Sequence, residues 1–157
     1  MTVIALREVR DEDLDTLFEQ MRDPEGVWMA AFTAEDPDDR AHFDFHMARV
    51  RNAPDVTMRA ITRDGQLVGH VASFDRDGEQ EVTYCVDRAV WGQGVASQAL
   101  MLLLEEVTIR PLHARAASDN LRSLRVLQKA GFRVTGTNRD FARARKAEIE
   151  ETLLRLD

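Results

Sequence analysis

The sequence has little cysteine and no long apolar segment. Its single cysteine, Cys85, excludes an internal disulfide framework and is typical of a reducing compartment, so we expect a cytoplasmic protein. No uninterrupted apolar run exceeds six residues, as in 99–104, whereas a membrane-spanning helix needs about 20. The first residues include acids where a signal peptide would be apolar, so we expect no export signal. These features predict a globular protein without a membrane partner.

Positive charge is also scarce. The 157 residues include 21 Lys and Arg against 28 Asp and Glu, which gives a net charge of −7. Binding to nucleic acid without sequence preference relies on basic surface, so we expect no nucleic-acid partner. The acids cluster at 11–15 and 35–39, where helices are expected to begin and where acids suit the helix dipole. The alternative is that these acids attract a cationic amine.

Asp-Gly pairs divide the middle of the chain into three strands. Asp64-Gly65 and Asp77-Gly78 separate the alternating segments Val56–Arg63, Gln66–Asp75 and Glu79–Val86. Glycine accepts the positive φ that a tight hairpin turn requires, so these pairs are strong hairpin signals. The pattern predicts an antiparallel meander.

Apolar spacing predicts the remaining elements. The apolar residues on every side of Ser97–Arg110 predict that this helix is buried between layers. No repeat or linker interrupts the chain, so we expect a single domain over residues 1–157. The other predicted elements are a strand at Val3–Val9, helices from Asp11 to Pro24 and from Pro37 to Pro54, a strand at Leu112–Ala117, a helix at Asn120–Ala130, and a closing hairpin of Phe132–Arg139 and Glu148–Leu156.

The segment WGQGVAS, from Trp91 to Ser97, joins the last meander strand to a helix. A glycine turn before a helix gathers free backbone N–H groups, which favour an anion such as phosphate. One alternative is a turn that needs glycine for its geometry alone. Another is a dinucleotide fingerprint, but three antiparallel strands precede the loop and no acid lies between Glu106 and Asp119 to hold a ribose. A P-loop would need a Lys-Ser or Lys-Thr pair after the glycines.

Three motifs follow one another at characteristic intervals: EVTYCVD, WGQGVAS and SDNLRSLRVLQKAGF. Together they resemble the GNAT superfamily of acetyl-CoA-dependent N-acetyltransferases, and its RimJ/RimL-like branch in particular. The resemblance implies an α+β GNAT fold. Its central sheet would be mixed but mostly antiparallel, with about six to seven strands, about four flanking helices and a splayed parallel strand pair in the middle.

The resemblance also implies a cofactor site for acetyl-CoA, without a metal. The pyrophosphate would lie on the amides of Gln93–Ser97, and the pantetheine arm would enter the splay between Val86 and Leu112–Ala117. Trp91 replaces the first polar residue of the family loop, as is common in the RimJ/RimL-like branch. The candidate cofactor-binding residues are Val86, Gly92, Gln93, Gly94, Val95, Ala96, Ser97 and Asn120.

The implied reaction is direct acetyl transfer to a primary amine of a small molecule or of a protein N-terminus. The family base is often a glutamate on the strand before the glycine loop, and Glu81 occupies such a position; the alternative is a solvent-exposed strand glutamate. The family's tyrosine acid would fall at Leu127 and is absent, whereas the only tyrosine, Tyr84, lies on a strand. Ser123 is the second catalytic candidate, either as a donor to the sulfur or as a cofactor contact.

Without the family tyrosine, a non-catalytic acyl-CoA sensor or interaction domain is an alternative function. For an enzyme, the candidate acceptor-binding residues are Trp28, Phe32 and His70, with the acids of 35–39 at the rim of the site. His42 and His46 have the spacing of a zinc pair, but no glutamate follows His42 and no third ligand is evident. We expect a monomer or a homodimer.

Overall fold

A computed structural model describes every residue from Met1 to Asp157. It contains one seven-stranded sheet and five α-helices, with two short 3-10 turns at Asp11–Asp13 and Arg88–Val90. The strands are β1 (Ile4–Glu8), β2 (Thr57–Arg63), β3 (Gln66–Arg76), β4 (Glu79–Val86), β5 (Leu112–Ala117), β6 (Arg133–Ala142) and β7 (Ala147–Leu156). The helices are α1 (Leu14–Met21), α2 (Pro24–Ala30), α3 (Arg40–Asn52), α4 (Val95–Glu106) and α5 (Leu121–Lys129).

The sheet order is β1-β2-β3-β4-β5-β7-β6, and every neighbouring pair except β4–β5 is antiparallel. The two Asp-Gly turns have positive φ at both residues, +50° and +82° at Asp64-Gly65 and +52° and +86° at Asp77-Gly78. Turns of this kind match the twist of the strands that they join. The predicted meander of β2, β3 and β4 is therefore confirmed.

Helices cover both faces of the sheet. The larger core lies under α4 and α5, and a smaller core lies under α1 and α3, where the rings of Phe18 and Phe43 meet edge to face at 5.2 Å. The expectation that α4 is buried on every side is wrong, because Met101 is 50% exposed. The sheet can cover only one side of this helix, and the buried positions are Val95, Ala99, Leu100 and Leu103.

The first helix ends before Pro24, as expected, but a further helix begins there. Pro24 is the first residue of α2, and the Asp23 side chain caps this helix by accepting from the Gly26 amide at 2.9 Å. Proline suits the first turn of a helix because the N–H that it lacks would have no partner there. Likewise α3 begins after its cap Asp39 rather than at Pro37. None of the helices is both long and apolar enough to cross a membrane.

Candidate functional site

The parallel pair β4–β5 separates after a single residue pair. Glu81 lies opposite His113, and the two strands make no further pairs toward Val86 and Ala117. By contrast, β3 and β4 stay paired from Gly69–Val86 to Arg76–Glu79. A cleft of about 1040 Å³ occupies the gap and is lined by residues of both strands. The predicted splayed pair is therefore confirmed, and it forms the floor of this cleft.

The glycine loop closes one end of the cleft. Gly92 and Gly94 have φ of +75° and +77°, so each takes a conformation that other residues resist. The amides of residues 95–97 form the first turn of α4 and have no acceptor within the protein, since the first helical bond runs from the Gln98 amide to the Gly94 carbonyl. Free N–H groups and the positive end of a helix dipole at one point favour an anion over a cation there.

Trp91 fixes the glycine loop to both neighbouring elements. Its indole Nε1 donates to the Val86 carbonyl at 2.9 Å, and its ring lies under the Arg122 guanidinium at 4.5 Å. The first contact holds the end of β4 and the second holds α5. The tryptophan that replaces the polar residue of the family loop therefore positions the loop through packing and a side-chain hydrogen bond.

Asn120 joins α5 to α2. Its Oδ1 accepts from the Ser123 amide at 3.2 Å, as an N-cap does, and its Nδ2 donates to the Met29 carbonyl at 3.3 Å. Asn120 lines the cleft, as do all the other predicted cofactor residues except Gln93. The Gln93 side chain turns away and bonds to the Arg63 guanidinium, so only its backbone remains for a cofactor contact.

The only tyrosine reaches the cleft from the floor. Tyr84 Oη lies 2.7 Å from Ser123 Oγ and 3.3 Å from the Ser123 carbonyl oxygen. Burial raises the pKa of Tyr84 to about 12, although the hydrogen bond with Ser123 acts in the opposite direction. A phenol and a serine hydroxyl are therefore paired at the wall of the cleft.

Glu81 is a buried member of an ionic network. Its Oε1 accepts from Arg115 Nε at 2.8 Å, whereas its Oε2 has only a 3.6 Å contact with Arg76. Arg115 also contacts Glu151 Oε1 at 3.3 Å. Only 4% of the Glu81 side chain is exposed, yet the residue lines the cleft. The alternative of a solvent-exposed strand glutamate does not describe Glu81; it describes Glu79, whose side chain is 60% exposed.

The opposite end of the cleft combines aromatic and apolar side chains with charged ones. Phe32 lines it, whereas Trp28 does not: its ring is 53% exposed and packs under the Arg145 guanidinium at 4.5 Å. None of the acids of 35–39 lines the cleft. Asp38 forms an ion pair with Arg22 after α1, and Asp39 caps α3. The residues that line this end include Met29, Phe32, Thr33, Phe74, Phe141, Arg76, Asp140 and Arg143.

His70 does not line the cleft. It is buried on β3 opposite Cys85, its Nδ1 has no partner, and burial lowers its pKa to about 4. Phe74, on the same face of β3, does line the cleft, whereas His70 lies four residues earlier on the strand and is buried. His46 lies close enough to His70 to lower its pKa further. No three His, Cys, Asp or Glu side chains come together in an arrangement that could hold a metal ion.

Two residues of the site escaped the sequence analysis. Arg115 holds Glu81 at the floor. Arg145 donates to the Trp28 carbonyl in α2 at 2.7 Å and to Asp119, between β5 and α5, at 2.7 and 3.1 Å. Arg115 had a sequence signal, because an arginine between alanines in a short buried strand needs a partner. No sequence pattern indicated Arg145, because its contacts depend on how the β6–β7 turn packs against Trp28 and Asp119.

Comparison with known proteins agrees with this geometry. Residues 4–133 match the family described as acetyltransferase (GNAT) domain. The chain is 24% identical to the uncharacterized N-acetyltransferase p20 of Bacillus licheniformis, over 94% of this chain and 88% of that protein.

Solved structures share the fold. Mycobacterium smegmatis RimJ, in complex with CoA-disulfide, has a TM-score of 0.80 at 20% identity, with 98% of this chain and 81% of that chain covered. The phosphinothricin acetyltransferase of Sinorhizobium meliloti, in complex with acetyl-CoA, has a TM-score of 0.83 at 16% identity, with 98% and 87% covered. Because the family match covers most of its length, the chain belongs to the GNAT acetyltransferase family and is an acetyl-CoA-dependent acyltransferase.

Proposed function

We propose that this protein transfers the acetyl group of acetyl-CoA directly to a primary amine of a small molecule or of a protein N-terminus. The observation that carries the proposal is a single cleft that joins two chemically different ends. One end offers the unpartnered amides of residues 95–97, and Glu81 lines the floor of the same cleft opposite Phe74. An anionic cofactor and an amine can therefore meet above one carboxylate.

The residues at the glycine loop fit acetyl-CoA. Free amides and a helix N-terminus suit its pyrophosphate, and the edge of β4 that is unpaired with β5 beyond Glu81 offers backbone groups that an extended pantetheine arm can pair with. The cleft volume of about 1040 Å³ is at the upper end of ordinary ligand pockets, which suits a long cofactor together with an acceptor. Bound acetyl-CoA supplies the activated acetyl group; the protein supplies position and a base.

Glu81 is the proposed base. Arg115 holds one carboxylate oxygen, Oε1, and so fixes the side chain. The other oxygen, Oε2, makes no hydrogen bond within the protein, so it can accept the amine proton directly or through one water. Ser123, on the other side of the splay, is the proposed hydrogen-bond donor to the sulfur.

The end of the cleft opposite the glycine loop is the proposed acceptor site. Phe32, Phe74 and Phe141 offer apolar surface, while Asp140 and Arg143 place both signs of charge beside it. This combination suits a primary amine that also carries an apolar part. Protein N-termini, which the RimJ/RimL-like resemblance implies, and small amino-acid-like amines are the two acceptor classes to compare.

An amine screen tests the proposal. Purified protein is incubated with acetyl-CoA and a panel of N-terminal peptides, amino acids, polyamines and aminoglycosides, and free thiol is measured. We expect release of CoA with at least one class, and calorimetric binding of acetyl-CoA. Binding without turnover across the panel would contradict the proposal and favour the non-catalytic sensor.

We further propose that residues 1–157 work as one GNAT domain in the cytoplasm. In support, β7 pairs with β5 over six residue pairs, so the two strands beyond the family match complete the same sheet. The single cysteine supports a reducing compartment. Fractionation of the native host cells checks the location.

A further inference from the structure

Ser123 is held in the cleft wall by contacts on three sides. Tyr84 Oη lies 2.7 Å from its hydroxyl and 3.3 Å from its carbonyl oxygen, and Asn120 accepts its amide at 3.2 Å. Tyr84 lies on the face of β4 that packs against α4 and α5, so it reaches Ser123 across the splay. The tyrosine is the only one in the chain.

In the resembled family, a tyrosine general acid would stand at position 127. In this chain the residue there is Leu127, which belongs to the hydrophobic core. Leu127 is 2% exposed and belongs to the main apolar cluster, so it offers nothing to a sulfur atom. Ser123 precedes Leu127 by one helical turn and therefore lies on the same side of α5. A hydroxyl pair thus lies beside the position where the family has a phenol.

We propose that Tyr84 donates its phenolic hydrogen to Ser123 Oγ and so leaves the serine hydrogen free for the CoA sulfur. This inference rests on the proposed function. A serine hydroxyl has one hydrogen and two acceptor lone pairs, and in a helix that hydrogen readily turns to a carbonyl one turn back. A donor at 2.7 Å occupies a lone pair and favours the rotamer that points the hydrogen into the cleft. Tyr84 is then a positioning residue that acts through Ser123.

The pair stabilises a thiolate without giving it a proton. In the transfer, the carbon–nitrogen bond forms as the carbon–sulfur bond breaks, the electron pair stays on sulfur, and the amine proton goes to Glu81 Oε2. Burial raises the pKa of Tyr84 to about 12, above the ~8.5 of an ordinary thiol, so net transfer from the phenol to a thiolate is unfavourable. Tyr84 keeps its proton, and the thiolate is protonated by water after release.

The first test measures the thiol of bound CoA rather than turnover. Thiolate absorbance in the ultraviolet is followed from pH 6 to pH 10 against the protein alone. Cys85 and Tyr84 both have pKa values raised by burial to about 12, so neither contributes in this range. We expect the thiol pKa to rise by about 0.5–1 unit in Tyr84→Phe and in Ser123→Ala, because a hydrogen bond to the charged form favours that form.

Two further variants calibrate this measurement. Ser118→Ala removes a hydroxyl pair of the same length, between Ser118 Oγ and Thr152 Oγ1 at 2.7 Å, and Ser118 does not line the cleft. We expect this control to keep the wild-type thiol pKa. Ser123→Thr keeps a hydroxyl at the site and should restore most of the shift that Ser123→Ala loses.

The second test is a double-mutant cycle on kcat. We expect Tyr84→Phe to lower kcat about 10-fold with the acetyl-CoA KM within about 2-fold, and Ser123→Ala to lower it about 10- to 100-fold. The double variant should be no worse than Ser123→Ala alone, because Tyr84 acts only through that serine. Additive losses would overturn the proposal.

The outcomes separate this inference from the proposed function. If wild-type protein binds CoA and Tyr84→Phe keeps the wild-type thiol pKa, the hydroxyl relay is wrong while the acetyltransferase proposal stands. If wild-type protein does not bind CoA at all, both are wrong.

Discussion

Glu81 and Arg115 lie on the two strands that separate, and the Arg115 Nε donates to Glu81 Oε1 at 2.8 Å. The residues are 34 positions apart in the chain, and the contact exists because the strands still pair at Glu81–His113 before they diverge. A charged side chain this deeply buried needs a partner. The arginine is therefore what allows a carboxylate to lie at the cleft floor.

We expect Glu81→Gln to lower kcat about 100-fold or more at pH 7 while acetyl-CoA affinity stays nearly unchanged. The amide keeps the shape of the side chain but removes the base, so the loss should shrink as pH rises and free amine becomes abundant. Glu151→Gln is the matched control, because it also removes an Arg115 partner. Equal losses in the two variants would show that the ionic network, rather than a base, is what matters; steady-state rates and calorimetry decide.

Gly94→Ala should weaken acetyl-CoA binding by about 10-fold or more. Its φ of +77° disfavours a side chain, and the added methyl group stands at the start of α4, where the free amides lie. Gly65→Ala is the control, since it has a similar φ of +82° but lies in the β2–β3 turn. Each change should cost about 1–2 kcal/mol of unfolding free energy. Wild-type affinity in Gly94→Ala would contradict the placement of the pyrophosphate.

His70 should make the fold less stable as pH falls from 6.5 to 4. Burial lowers its pKa to about 4 in the folded chain, whereas the unfolded value is 6.5. Above pH 6.5 neither state binds the proton; between the two values only the unfolded chain does, so the unfolding free energy falls by roughly 3 kcal/mol in total. His46, which faces His70, has a pKa lowered by burial and acts in the same direction, while Cys85 stays protonated.

Urea unfolding at pH 7 and pH 4.5 measures this dependence. His70→Leu removes the larger of the two histidine contributions and should reduce the difference in unfolding free energy between the two pH values, whereas His42→Gln, a change at an exposed position, should leave it as in the wild type. A His70→Leu protein with the full wild-type pH dependence would contradict the assignment.

Arg145→Met should raise the acceptor KM roughly 5- to 10-fold and leave the acetyl-CoA KM within about 2-fold. Arg145 ties the turn after β6 to α2 through the Trp28 carbonyl and ring, and to the β5–α5 connection through Asp119, so its loss loosens the wall beside Phe32. Arg155→Met breaks an arginine–aspartate pair with Asp157 outside the cleft and serves as control. Initial rates with the best amine of the panel give both constants.

The sequence by itself determined the features that depend on neighbouring residues. The turns at Asp64-Gly65 and Asp77-Gly78 and the glycine loop were predicted because φ preferences act within a few neighbouring positions. The family motifs also predicted residues that line the glycine-loop end of the cleft. These local signals were enough to order the strands β2, β3 and β4 and to place the start of α5.

Only the tertiary structure decided which distant side chains meet. Tyr84 and Ser123 are 39 positions apart, and Trp28 and Arg145 are 117 apart. Each contact depends on strand register and on which face of the sheet a helix covers, and neither is encoded in a local pattern. The same dependence took His70 away from the cleft, exposed Met101 and buried Glu81, because burial belongs to the packed layers rather than to the residue.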